Sequence, residues 1–436
     1  MKEKIMNGLL NVAGKIQTQR HMASIKNGFT AMLPIIITGS FCTLFMNVVC
    51  STTTAGLSLA KIPGMSWLGR LMPMFEAANY ATMNFMAIGI VIAIALEMGK
   101  RFERTEFTLP IVALACYVSL CNNFTTVKFG DKLETIANVL PREFTNAQGL
   151  FLGMLTALAA SEIYCRIYNS GKLEIKMPDT VPPNVTKAFN SLFPAMLTIL
   201  IVSGMGMVFK GITNMTIAEA VSSFIQKPLQ GVLTGLPGYL LLIFMTTLLW
   251  SFGIHGTQVL KPIYEPIMLA AIAENMEAVL AGETAPHILN SGFLSTFSTG
   301  TGAGITGGLL IAIFLFSKRE DYRAVAKIAL PCGLFNINEP LMFGLPIVLN
   351  PILAIPFMIA PAVSATFAYF MTKIGVATVM TVYAPFTTPP LLKSFINSGG
   401  HLGTVFVELC CILISACIYT PFILLANKQA AMEQNT

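Results

Sequence analysis

The sequence is poor in charge. Of its 436 residues, 11% are charged and 54% are hydrophobic, and the mean hydropathy is +0.70. A soluble domain carries roughly 25% charged residues. So few charges leave a chain of this length unable to cover a water-facing surface, and the remaining solvent is lipid. A bilayer core offers the backbone no hydrogen-bond partners, which restricts spanning segments to helices or a closed barrel. Barrel strands read as short alternating segments. The apolar runs here are long and continuous, so the expected fold is an all-α integral membrane protein.

Other absences narrow the chemistry. There is no CxxC pair, and Cys42, Cys50, Cys116, Cys121, Cys332, Cys410, Cys411 and Cys417 sit mostly in apolar runs. They read as small buried hydrophobes rather than a disulfide framework. No HExxH or Cys/His cluster occurs, so no metal site is expected. The Gly/Thr run 298–308, STGTGAGITGG, has no preceding strand and no GK[ST], which excludes a P-loop or dinucleotide fingerprint; no cofactor is expected. No serine-nucleophile elbow is present. The first apolar run starts late and follows no small-residue cleavage site, so no cleavable signal peptide is expected. The net charge of +6 is assigned to cytoplasmic-side Lys and Arg, with no nucleic-acid partner.

What is present organises into spans. Residues 4–25 carry Ile5, Leu9, Val12 and Ile16 at helical spacing among Lys4, Lys15 and Arg20, which predicts an amphipathic helix on the cytoplasmic interface or against the bundle. Apolar runs follow at about 29–50, 80–98, 107–121, 148–168 and 187–209, most near the roughly 20 residues that cross hydrocarbon. The loop holding Lys100, Arg101 and Arg104 and the loop 166–187 are basic, which places them, with the N-terminus, in the cytoplasm. Residues 211–229 read as an interfacial linker. Beyond it, spans at about 231–252, 301–316, 346–371 and 403–426 alternate with stretches that are apolar yet interrupted by Gly, Pro and ionisable residues: 253–300, 328–345 and 375–400. Irregular backbone at membrane depth is tolerated only where it is buried or lines a cavity. The expectation is therefore about ten transmembrane helices plus re-entrant hairpins. The division expected is a scaffold in 1–210, a linker in 211–230, and a substrate-binding half in 231–436.

Two interrupted stretches carry the candidate chemistry. In 331–351, PCGLFNINEPLMFGLPIVLNP, Glu339 lies between Asn338 and Pro340 in an apolar context. An intramembrane carboxylate needs a partner or a cavity, and Pro340 disfavours helix at the residues before it. A carboxylate and an amide presented from a helix break suit the vicinal hydroxyls of a sugar. In 250–266, WSFGIHGTQVLKPIYEP, His255 lies between Gly253 and Gly256 just past an apolar span. Trp250 offers either a flat face for a sugar ring or an interfacial anchor. Gly256 and Thr257 follow His255, and Gly302 sits in the Gly/Thr run, read either as a hairpin tip near the site or as tight helix packing. All three join the candidate substrate-binding set.

These motifs, FNINEPLMFGLPIVLNP with WSFGIHG upstream, resemble the membrane subunit (enzyme IIC) of the lactose, cellobiose and N,N'-diacetylchitobiose branch of the phosphotransferase system. The resemblance implies an elevator-type transporter in the bacterial cytoplasmic membrane, a homodimer whose scaffold half holds a mobile substrate half. It implies that Glu339 and His255 hydrogen-bond a β-linked disaccharide near its C6 hydroxyl, with Glu339 accepting or orienting the proton and Asn338 and Trp250 completing recognition. A IIB subunit phosphorylates that hydroxyl from a phosphocysteine. Little sequence follows the run at 403–426, so IIB is expected as a separate polypeptide. The competing reading is a proton-coupled sugar transporter using Glu339 and His255 as its proton site. A membrane enzyme acting on lipids is a third.

Overall fold

The computed structural model describes residues 15, 19–53, 58–129, 132–178, 181–345, 347 and 350–434. The N-terminal amphipathic helix expected over 4–25 falls mostly outside them. Arg20–Ile25 belongs instead to the first long helix, α1 (Arg20–Phe45), which runs on through a π-helical turn, Met46–Cys50. The described chain divides into two compact units, one formed by 15–36 and 80–229, the other by 37–79 and 230–434.

In the first unit the first part of α1 joins α2 (Met86–Arg101), α3 (Thr108–Leu120), α4 (Leu150–Asn169) and α5 (Leu192–Thr213). Helices α2, α3 and α4 pack mutually, and α5 lies against α3 and α4. The sequence of α4 shows why. Leu150, Phe151, Met154, Ala157, Ala160, Ser161 and Tyr164 recur at helical spacing and are buried, and the small residues among them allow close helix approach. The basic ends of three segments gather: Arg20 and Arg166 both pair with Glu162, and Arg104 bonds Asn169 at 2.8 Å. Far from them in sequence, β1 (Phe124–Phe129) and β2 (Lys132–Ala137) form an antiparallel hairpin. The expectation of an all-α chain omitted it. The consecutive β-branched residues at 125–127 and 135–136 supply the strand propensity.

The second unit holds α6 (Leu236–Ser251), α7 (Gly256–Leu280), a broken segment from Ser291 to Ser298 continuing into α8 (Thr306–Phe316), α9 (Glu320–Gly333), α10 (Glu339–Gly344), α11 (Pro351–Lys373), α12 (Leu392–Asn397) and α13 (Leu402–Gln434). Helix α13 packs along α8 and α11, and α6 packs on α11. A Cβ at Gly308 would overlap Ser415 of α13, so the second half of the Gly/Thr run serves helix packing. Asn427 near the end of α13 binds the Phe316 carbonyl and the Lys318 amide, both at 2.9 Å. The basic loop after α8 and the C-terminal end of α13 therefore share one end of the unit.

Two expectations change. Among the described residues six helices are long and apolar enough to cross a membrane, or eight if two bent pairs each count once, fewer than the ten expected. Thr108–Leu120 is one reason: 13 residues rise only about 20 Å. The stretch 253–300 is also less broken than its composition suggests. Helix α7 runs unbroken for 25 residues through Pro262 and Pro266. Nearly all its residues from Tyr264 to Ala273 are buried, and packing on every side outweighs the local loss of two backbone donors.

Candidate functional site

All the residues singled out in the sequence lie in the second unit, at breaks between its helices. The first break separates α6 from α7. Gly253, at φ +79°, takes the left-handed turn that glycine allows without strain. His255 then caps α7, its Nδ1 accepting the Gln258 N–H at 3.3 Å. An accepting Nδ1 puts the proton of a neutral imidazole on Nε2. That is the nitrogen facing Glu339, with Nε2 3.9 Å from Oε1. Gly256 lies against the Thr246 backbone, which a Cβ would overlap; its part is the close approach of α7 to α6.

Trp250 stands beneath the histidine. The ring centroids are 4.1 Å apart with the planes tilted by 44°, and the indole Nε1 donates to Thr257 Oγ1 at 3.2 Å. Trp250 is only 3% exposed. In this structure its indole is a wall that fixes the imidazole, and not an open platform for a sugar ring. Thr257 likewise spends its hydroxyl on holding the indole.

The second break separates α9 from α10. Asn336, at φ +63°, adopts the left-handed conformation that asparagine tolerates better than most residues. Its Nδ2 reaches the carbonyls of Phe386 and Thr388, both at 2.7 Å. Asn338 is buried, and its Nδ2 donates to the Ala303 carbonyl at 2.8 Å. Glu339 opens α10, with Pro340 next in the helix. The side chains of His255 and Glu339 are 39% and 46% exposed. The two polar groups thus face one another from two helix breaks while staying open to an incoming ligand.

The third element is the tip that joins Ser298 to α8. Gly302 and Gly304 have φ of +91° and +75°, and Ile305 follows at +48°. A β-branched residue in that region is strained. The tip is held in place by α13: Tyr419 donates to the Gly304 carbonyl and Ser415 to the Ile305 carbonyl, both at 2.9 Å. A Cβ on Gly302 would sit 2.7 Å from Asn338 Cγ. Gly302 is therefore the residue that lets the tip close on the Glu339 segment. Here the first half of the Gly/Thr run is a hairpin tip at the site.

The structure thus brings together Glu339, His255, Trp250 and Thr257 around one break pair, with Asn338 and Gly302 bracing it and Gly256 packing behind it. Other polar groups have structural partners. Lys261 pairs with Glu265 at 3.3 Å along α7, Asn290 caps the hairpin helix through the Phe293 amide, and His401 bonds Thr404 at the start of α13. Sequence reasoning passed over Asn336 and Glu408. Glu408 is 1% exposed within α13. A lone acid in the otherwise apolar run FVELCCILIS was the available signal. The run FGLPIVLNP lies partly outside the described residues.

Comparison with known proteins identifies the family. Residues 26–361 match the model of the family described as phosphotransferase system, EIIC. The chain is 31% identical over 430 residues to the oligo-beta-mannoside-specific EIIC component of Bacillus subtilis, covering 98% of this chain and 94% of that one. It is 28% identical to a cellobiose-specific EIIC component from Geobacillus stearothermophilus, over 98% of this chain and 94% of the relative. With the lactose-specific EIICB component of Staphylococcus epidermidis it shares 26%, over 96% of this chain and 70% of that protein. The crystal structure of ChbC, the IIC component from an N,N'-diacetylchitobiose-specific phosphotransferase system, superposes with a TM-score of 0.88 at 28% identity, covering 98% of both chains. The match of more than half the chain to one family model, and of nearly all of it to curated components and a solved transporter, makes this protein a member of the EIIC family of the phosphotransferase system, an integral membrane sugar permease component.

Proposed function

We propose that the chain binds a β-linked disaccharide at the His255–Glu339 pair and presents its C6 hydroxyl to a IIB phosphoryl donor. The single observation that carries this reading is that pair: an imidazole Nε2 and a carboxylate 3.9 Å apart, each less than half exposed, on two helix breaks of an apolar unit. A neutral ligand rich in hydroxyls satisfies both groups without bringing a charge into hydrocarbon. Glu339 accepts the hydrogen bond of the reacting hydroxyl and takes its proton as phosphate arrives. His255 donates from Nε2 to a neighbouring oxygen, and Trp250 and Thr257 fix the ring that does so. Asn338 sets the segment carrying Glu339.

The names of the relatives support the substrate class, since they span cellobiose, lichenan, oligo-β-mannosides and lactose. The name EIICB, with 70% of that protein matched by this chain, supports a IIB donor domain outside the matched part. Phosphorylation traps a neutral sugar as an anion, which removes the need for an ion gradient. We assign the site-bearing unit the mobile role of an elevator and the other unit the scaffold of a homodimer.

Cells or vesicles carrying the chain test this. Uptake of cellobiose or N,N'-diacetylchitobiose should require IIB and phosphoenolpyruvate and survive a protonophore. Uptake that persists without IIB and collapses with the proton gradient would instead establish the proton-coupled alternative.

A further inference from the structure

Two opposite charges lie fully buried in the second unit and outside the pair described above. Lys393, on α12, is 0% exposed and Glu408, on α13, is 1% exposed. Burying ionisable side chains is expensive unless they find hydrogen-bond partners, and these two bond the same stretch of loop. Glu408 Oε2 accepts the Leu391 N–H at 2.7 Å. Lys393 Nζ donates to the Phe386 carbonyl at 2.7 Å. Leu391 sits at φ +65°, a conformation that costs a leucine energy and needs an external hold. The loop 386–391 is thus strapped at both ends by side chains that have no access to water.

The strap leads to the site. The Phe386 carbonyl that receives Lys393 also receives Asn336 Nδ2 at 2.7 Å. Asn336 is three residues before Glu339, at the left-handed turn from which that segment departs. On its other side, Glu408 Oε1 accepts from no protein group and points at Gly300, where a Cβ would lie 3.0 Å away. Gly300 belongs to the tip whose Ala303 carbonyl holds Asn338. One carboxylate therefore meets both segments that fix the direction of Glu339.

We propose that Glu408, with Lys393, is a positioning residue for Glu339, acting through the Phe386 carbonyl and Asn336. Lys393 and Glu408 hold the two ends of one loop, and losing either hold loosens the carbonyl that Asn336 binds, so the Glu339 segment loses a brace. This rests on the reading of Glu339 as the sugar-binding carboxylate.

The test is a set of double-mutant cycles on the full chain in nanodiscs, read by calorimetry as the Kd for cellobiose and for N,N'-diacetylchitobiose. Glu408→Gln and Asn336→Gly are each combined with Glu339→Gln. Glycine at 336 keeps the left-handed backbone and removes the two amide bonds. Each single change is expected to weaken binding about tenfold, as for loss of a hydrogen bond involving a charge. On the Glu339→Gln background the same change should move Kd by less than about twofold, because the group being positioned is gone. A purely structural role weakens binding equally on either background, and that additivity, or unchanged affinity in Glu408→Gln and Asn336→Gly alone, overturns the inference while leaving the site intact. Wild-type affinity in Glu339→Gln, or no binding of either sugar by the wild type, overturns the site and the inference together. Should Glu408→Gln fail to insert, Glu408→Gln/Lys393→Met removes both charges and carries the same cycle.

Discussion

Replacing Glu339 by Gln separates binding from folding because the two draw on different parts of its surroundings. The side chain is 46% exposed and its neighbour His255 is 39% exposed, at 3.9 Å. For charges this open to solvent an ion pair contributes only about 0–1 kcal/mol, and the Gln amide fits the same volume. The fold should therefore lose at most about 1 kcal/mol, with membrane insertion unchanged. The sugar loses more. A hydrogen bond from a hydroxyl to a carboxylate is worth about 1.5–3 kcal/mol net, which corresponds to a rise in Kd of roughly 10- to 100-fold. Phosphorylation at saturating sugar should fall further, by about 100-fold or more, because an amide cannot take the hydroxyl proton. Calorimetry on purified protein gives the first quantity, and a coupled assay with IIB and phosphoenolpyruvate gives the second. Wild-type turnover in a Gln variant would show that the carboxylate neither grips nor activates the hydroxyl.

Other expected outcomes follow from the same contacts. Trp250→Ala should be far worse than Trp250→Phe, because emptying a buried indole site costs about 3–5 kcal/mol while phenylalanine keeps most of the wall under His255; equal effects in binding and thermal denaturation would contradict a supporting role. Gly302→Ala puts a methyl 2.7 Å from Asn338 Cγ at a φ of +91°, so sugar binding should drop at least tenfold through strain of about 1–3 kcal/mol, with Asn338→Ala giving partial relief in the double variant. In the polar segment after α8, the Arg319 side chain bonded to Asp321 holds that carboxyl below the usual carboxylate range. A lowered folded value means its contribution is present above the unfolded pKa and is lost as pH falls through the folded one; Asp321→Asn should remove this acid-side loss from thermal unfolding curves, by no more than about 1 kcal/mol since the group is largely exposed.

Much of the candidate site is legible in the sequence for one reason. Polar residues at a helix break announce themselves twice, once as an ionisable or amide group in an apolar run and once as the Gly or Pro that makes the break. Glu339 stands before Pro340 and His255 stands between two glycines, so both carry the double signal. The same rule overreached at Pro262 and Pro266, where α7 continues because it is enclosed by other helices, and local signals carry no information about enclosure. The orientation of Trp250 was equally out of reach. Whether an indole faces a ligand or supports a histidine depends on which side of the α6–α7 turn it packs, and its spacing from His255 is the same in both cases.

Glu408 shows the limit from the opposite direction. It lies inside an uninterrupted helix with no Gly or Pro beside it, so the local pattern gives no reason to prefer a ligand, a partner across the bundle or a pore. Only the tertiary arrangement supplies one. Its neighbours are the Leu391 amide and the Gly300 tip, and each belongs to an irregular segment. A regular helix satisfies its own backbone, but an irregular segment in lipid must borrow hydrogen bonds from elsewhere. The charges of this unit sit where that borrowing occurs. Asn336, Asn338, Asn397 and Lys393 all donate to carbonyls of broken segments, and Glu408 accepts from one of their amides. These four buried side chains therefore answer first to the backbone of the broken segments. His255 and Glu339 differ from them in exposure: they meet at 3.9 Å across two breaks and stay open, and that opening is where a substrate can reach them.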